Sequence, residues 1–296
     1  TVQPPLPSSM TMGAKAAKVL YDMEGSLVRI EALCKHLDGG NSFGPMSQSI
    51  YRPISDAVNR GKPISNAFIT KLAKVMAERE AEYSSSGSIA APELFSEHFN
   101  GVFRNKWDVI ACLLNYGNAS SATKLIDGYK WNEDDLLGVF NKHLNARDVE
   151  FVQRIWDVLN EVKPYVKEEY YQRTGLSLVE IEPRPFDLHG QTWRGGYYPV
   201  AYSREHVANS KIGERADLDQ SLFGAEGSSW PAPNKGSSIE RTGYVGPIDL
   251  NPMVSVRHVE QSIHRWAVAK DIRQTARLVN RPEFQSAMAA INPSYR

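Results

Sequence analysis

DVEFVQRIWDVLNEVKPYVKEEYYQR, Asp148 to Arg173, is the stretch whose reading decides the fold class. Val152, Ile155, Trp156, Leu159 and Val162 recur at spacings of three and four, so they fall on one face of an α-helix and predict a stripe that packs into a core. Pro164 interrupts the pattern; it lacks an N–H and crowds the preceding turn, which predicts a kink or an end followed by a second helix. The same periodicity runs upstream through Trp107–Tyr116, Ala119–Asp127 and Asn132–Leu144. In the last of these, Asn132 reads as the cap and Glu133, Asp134 and Asp135 follow where negative charge suits the positive end of the helix dipole.

Nearer the start, Val19, Leu20, Met23, Leu27, Ile30 and Leu37 predict a long helix from Thr11, stopped by Gly39 and Gly40. Ile50–Asn59 and Ile64–Tyr83 read as two helices divided by Gly61 and Pro63. Residues 1–10, with Pro4, Pro5 and Pro7, read as an extended arm, and 84–98 as a linker between an N-terminal helical region (11–83) and a central helical one (99–174). The chain changes character at 175–255: Leu178–Ile181 has β-branched alternation, Pro183 and Pro185 interrupt it, and Trp193–Tyr202 concentrates glycine and aromatics suited to strands and tight turns. Ser203–Ser238 is a long polar loop, and helix returns at Val256–Asn280, with Pro282 opening a last short helix in the C-terminal region 256–296. The expected class is therefore mainly α: a multi-helix bundle with a small β-containing, glycine- and aromatic-rich insert and a long polar loop.

Composition limits the chemistry. The 296 residues carry 34 basic and 34 acidic side chains, a balance that argues against a general nucleic-acid or anionic-membrane binder and leaves room only for a local basic patch. Cys34 and Cys112, the only two cysteines, exclude a disulfide scaffold or a cysteine-rich zinc site but leave one bridge open, and each reads first as a small buried apolar residue. No run of about 18 apolar residues offers a spanning helix, and the start lacks the basic-then-apolar pattern of a signal peptide.

No phosphate-binding glycine loop, dinucleotide fingerprint or Gly-x-Ser-x-Gly elbow occurs. His258 and His264 are the weak metal candidates, but six residues place them about 120° apart around a helix, unlike the i, i+4 pair of a zinc helix. Glu168 and Glu169, like Glu133 to Asp135, are available carboxylates whose simpler role is structural. Arg194-Gly195-Gly196-Tyr197-Tyr198-Pro199 combines a cation, close-approach glycines and flat aromatics; it suits nucleic-acid or partner binding through Arg194, Tyr197 and Tyr198, or a turn whose aromatics plug a core. Lys235 and Arg241 add a second basic candidate for a phosphate contact, the other reading being a loop anchor. No catalytic residue, metal or cofactor is expected.

Three stretches together resemble a known family. WDVIACLLNYGNASSATKLIDGYKW, Trp107–Trp131, is similar to a Trp-x-x-Ala-x-x-Leu-Asn-x-Gly-Asn segment ending in Leu-x-x-Gly-Tyr-x-Trp, and a Phe-Val-Gln-x-Ile-Trp-Asp helix follows at Phe151–Asp157. Gly195–Val200 then pairs with Glu240–Gly243, Gly246–Leu250 and the His258–His264 block. In this order the motifs resemble a module of the very large polyvalent proteins of tailed bacteriophages, which include internal virion or ejection proteins and proteins that protect incoming DNA from restriction. Gln261 stands where the family's second helix usually has an acid, and Ala269-Lys270 replaces its Arg-Glu pair. The resemblance implies a noncatalytic virion protein delivered with the genome. Its partners would be other virion proteins, copies of itself, a longer polypeptide of which it is part, or DNA through local contacts, and its location the virion and then the host cell. The alternatives are a DNA-handling accessory domain of a restriction-protection protein and a hydrolase using the His258/His264 region.

Overall fold

The computed structural model describes residues 24–86, 102–103, 105–202 and 246–291. The proline-rich arm, the first helix before Glu24, most of the 84–98 linker, the Ser203–Ser238 loop, Lys235 and Arg241 lie outside the described residues. The protein is mainly α, with one small two-stranded sheet among the described residues. The helices are α1 (Glu24–Leu37), α2 (Arg52–Ser86), α3 (Lys106–Tyr116), α4 (Ala119–Tyr129), α5 (Glu133–His143), α6 (Ala146–Thr174), α7 (Val254–Val279) and α8 (Pro282–Ile291). A π-helical turn, Ser47–Tyr51, leads into α2, and strands β1 (Phe186–Leu188) and β2 (Gln191–Trp193) form an antiparallel hairpin.

Four helices in succession begin with asparagine. The side chains of Asn105, Asn118, Asn132 and Asn145 accept from Trp107 N, Ser121 N, Asp134 N and Asp148 N respectively, satisfying amide groups that the first turn leaves without partners. At α6 the arrangement is reciprocal, since the Asp148 carboxylate accepts from Asn145 N at 2.7 Å.

α2, α6 and α7 form the scaffold. Lys71 with Glu161, Arg154 with Glu78 and Arg79 with Asp148 pair α2 and α6 in opposite directions. Arg60 with Asp271, and Gly61 against Ala267 and Ile263, set α2 antiparallel to α7. Trp266 Nε1 donates to Glu168 at 2.8 Å and Arg273 to Gln172 at 3.2 Å, so α6 and α7 run parallel. Buried side chains of α2, α3, α5, α6, the insert and α7 belong to one contiguous core. Cys34 and Cys112 are both buried and unbridged.

Two breaks expected from the sequence do not occur. Gly61 and Pro63 do not divide α2, which runs unbroken for 35 residues, and Pro164 does not end α6, which runs for 29. Both prolines sit on the exposed side of their helices, where water can serve the carbonyl that loses its N–H partner, while the apolar face continues through Ile54, Ala57, Val58, Ile69 and Leu72. Gly61 is a close-approach position: a Cβ there would lie 2.7 Å from the Ala267 methyl. Gly61→Val is therefore expected to push α2 from α7 and lower stability by about 1–3 kcal/mol, read as a lower urea midpoint.

The insert also departs from expectation. Leu178–Ile181 is not a strand; Leu178 and Ile181 turn inward, Val179 is 80% exposed and Glu180 pairs with Lys163 and Lys167, so the segment lies along α6 with no strand beside it. Trp193–Tyr202 contributes only the end of β2 and an isolated bridge from Tyr202 to Ile248. The hairpin turn is His189-Gly190, both at positive φ (55° and 72°), the geometry that a two-residue turn needs to match strand twist.

Candidate functional site

The helix corner between α3 and α4 is where the insert docks. Its connection is only Gly117-Asn118, and the Gly117 carbonyl accepts from both Arg184 N (2.9 Å) and Gly196 N (2.8 Å). Trp156 of α6 fills the space between: its ring is 2% exposed, its Nε1 donates to Leu114 O at 3.1 Å, and Phe186 of β1 meets it edge-on at 6.2 Å. A Cβ on Gly117 would lie 2.2 Å from the Trp156 ring, and one on Gly196 would lie 2.4 Å from its Cβ. Gly195, at φ +73°, brings its backbone against the Arg184 and Gly117 carbonyls, where both the conformation and the space exclude a side chain.

The last part of the resemblance docks on the same corner. Tyr129 OH donates to Ile248 O at 2.6 Å, Gly128 sits against the Gly246 carbonyl, and Asp249 N donates to Ala201 O at 2.7 Å. Trp107–Trp131, Phe151–Asp157, Gly195–Val200 and Gly246–Leu250 are thus drawn together into one packed node.

Arg184 clamps the edge of that node. Its guanidinium donates to Glu133 at 2.6 Å and lies 4.7 Å over the Tyr116 ring, while Tyr116 OH donates to the same carboxylate at 2.6 Å. Burial first, then the hydrogen bond to Glu133, pushes the Tyr116 phenol up to about 12. The Tyr116 and Arg184 hydrogen bonds hold Glu133 below its ordinary value. Such a carboxylate is committed to an ion pair and to the first turn of α5.

The candidate residues in the glycine-aromatic stretch separate. Tyr198 is 1% exposed, and its hydroxyl donates to the carbonyls of Asn251 (3.2 Å) and Pro252 (3.1 Å), anchoring the start of α7. Tyr197 is also buried, with its ring 5.7 Å from that of His258. Neither tyrosine presents a face on which a base or partner ring could stack; the aromatics plug the core because the adjacent glycines bring this backbone hard against Trp156. Arg194 is exposed and binds Asp157 through both carboxylate oxygens, at 2.9 and 3.1 Å. Because that pair faces water, Arg194→Ala is expected to change stability by no more than about 0.5 kcal/mol, checked by thermal denaturation.

His258 lines a narrow cleft with Leu159, Val162, Val166, Leu178 and Tyr197, whose free volume of about 10 Å³ holds no more than a water molecule. His264 lies about 120° further round α7. Among the described residues no three His, Cys, Asp or Glu side chains gather to hold a metal ion. An open depression of about 590 Å³ lies beside the hairpin, between Glu182, Pro183, Pro185, Thr192, Trp193 and Arg194. No helix of the described residues is long and apolar enough to cross a membrane.

Sequence reasoning missed a heavily paired buried charge, Asp148. Asp148 is fully buried and receives Lys106 Nζ (2.7 Å), Arg79 Nε (3.1 Å), Arg79 Nη2, the Tyr83 hydroxyl and Asn145 N. Burial works to raise its pKa, but hydrogen bonds from Lys106, Tyr83, Arg79 and Asn145 outweigh it and hold the carboxyl below its ordinary value. Burial, followed by the Asp148 charge, pushes the Tyr83 phenol up. Every acceptor position of Asp148 is taken, which suits a structural lock between α2, α3 and α6 and leaves nothing to act as a base.

No family model matches the chain, and no curated protein and no solved structure matches it.

Proposed function

We propose that this chain is a noncatalytic bacteriophage virion module, internal or structural, that assembles with virion proteins or further copies of itself and is delivered with the genome. The observation that carries the reading is the convergence of four of the resembling stretches on the Gly117–Trp156–Gly196 node. Their glycines and aromatics serve close packing, and no group in the node is poised for chemistry, which supports a role in assembly. The committed state of Glu133 and Asp148 further supports a scaffold.

The test is mass spectrometry of purified native particles, followed by the same measurement on particles emptied of DNA. The chain is expected in full particles at a fixed copy number and depleted after ejection if it is an internal protein. Absence from the particles would overturn the proposal. DNA handling through Arg194, Tyr197 and Tyr198 is the weaker reading, because the tyrosines are buried and the arginine is paired.

A further inference from the structure

We infer that the outward face of the C-terminal half of α7, with the turn that follows it, is a phosphate-contacting surface for duplex DNA, built from Lys270, Arg277 and Arg281 and flanked by Arg273. Over its C-terminal half α7 is covered by α2 on the side of Val268, Asp271 and Ile272, where Ala57, Val58 and Arg60 meet it, and by α6 on the side of Trp266 and Arg273. The positions left outward are Lys270, Gln274 and Arg277, at i, i+4 and i+7, followed by Arg281 in the turn before α8, and all four are exposed.

Exposed cations without a carboxylate partner among the described residues occur elsewhere too, at Lys35, Lys74 and Arg147; this face differs in gathering three of them on one stripe. Arg60, Lys71, Arg79, Lys106, Arg154, Lys163, Lys167, Arg173, Arg184 and Arg194 each hold a carboxylate. Lys270, Arg273, Arg277 and Arg281 hold none among the described residues, although Arg273 is fixed by its hydrogen bond to Gln172. The nearest acids in the chain are Asp271, which turns inward to Arg60, and Glu283 in the first turn of α8. Among the described residues, a chain of zero net charge thus gathers cations without carboxylate partners along one helix face. Part of the arrangement complements the negative end of the α7 dipole, but that effect fades beyond the last turn, whereas Lys270 lies more than two turns from the helix end.

The composition of the face selects the partner. It carries no apolar side chain to form the dry centre of a protein interface, and lysine is depleted at such centres. Guanidinium groups fork onto phosphate oxygens, and Lys270 and Arg277 stand about 10 Å apart along the axis, a spacing that lets their long side chains reach different phosphates. With its three cations assigned to phosphates, the face is expected to bind duplex DNA independently of sequence.

The experiment is fluorescence anisotropy of a labelled duplex of arbitrary sequence with the full chain across a salt series. About three phosphate contacts give a slope near −3 for log affinity against log salt, and about a twentyfold loss of affinity between 50 and 150 mM. The variant Lys270→Gln/Arg277→Gln/Arg281→Gln is expected to weaken binding at least about tenfold at the lower salt with unchanged helical circular dichroism. The control Lys35→Gln/Lys74→Gln/Arg147→Gln makes the same charge change at exposed sites elsewhere and is expected to leave affinity within about twofold. No duplex binding at low salt, equal weakening by both variants, an unaffected stripe variant, or capture of polyglutamate in place of DNA would each overturn the inference. It stands apart from the virion assignment, whose test is the particle's protein content.

Discussion

Asp148→Ala is expected to destabilise the protein by about 3–5 kcal/mol, seen as a large drop in the urea midpoint, because removing one member of a buried charge cluster strands the others. Arg79 and Lys106 are almost wholly buried, and their side chains would lose the carboxylate that justifies their charge there. The capping bond to Asn145 N at the start of α6 would disappear with it. Asp148→Asn keeps the shape and some hydrogen bonds but removes the charge, and it is expected to cost less than alanine while still being clearly destabilising.

The same residue predicts a pH dependence. Asp148 has its folded-state pKa below the unfolded one, so its contribution is complete above the unfolded value of about 3.9 and is lost as pH falls through the folded value. Stability of the wild-type chain should decline on acidification through and below that range, and Asp148→Asn should flatten this limb. A variant whose acid limb matches that of the wild type would show that other carboxylates dominate it.

Trp156→Ala is expected to cost about 3–5 kcal/mol for the cavity alone. The Leu114 carbonyl would also lose its buried partner, and the insert would lose the surface against which Phe186, Gly196 and the Gly117 corner close. Trp156→Phe retains much of the volume and should lose less. The discriminating measurement is hydrogen exchange, in which the amides of Arg184 and Gly196, both bound to the Gly117 carbonyl, should lose protection before those of α2. Equal loss in the two regions would mean that the node and the bundle unfold as one unit.

Much of the fold was legible because helices announce themselves locally. Each of α3 to α6 repeats its apolar residues at the helical period, and Asn132 marked one start; the asparagines at 105, 118 and 145 carried the same signal for the other three. Pro63 and Pro164 misled for a physical reason: a proline's local cost does not reveal whether the lost bond faces water or whether the apolar face continues past it. The candidate site was legible only as a density of special residues. Whether Tyr197 and Tyr198 met solvent or core depended on Gly196 finding Trp156, 40 residues earlier in the chain.

The sequence by itself determined the mainly α class, the placement of most helices and the absence of a surplus of positive charge, since these follow from period, capping and summed charge within short windows. Tertiary structure alone decided which charges are neutralised. Asp148 draws Arg79 from 69 positions away, while α2 and α6 cover two sides of α7 and leave Lys270, Arg277 and Arg281 outward with no carboxylate partner among the described residues. Coulomb interactions and desolvation depend on distance in space, which spacing along the chain fixes only within a single helix.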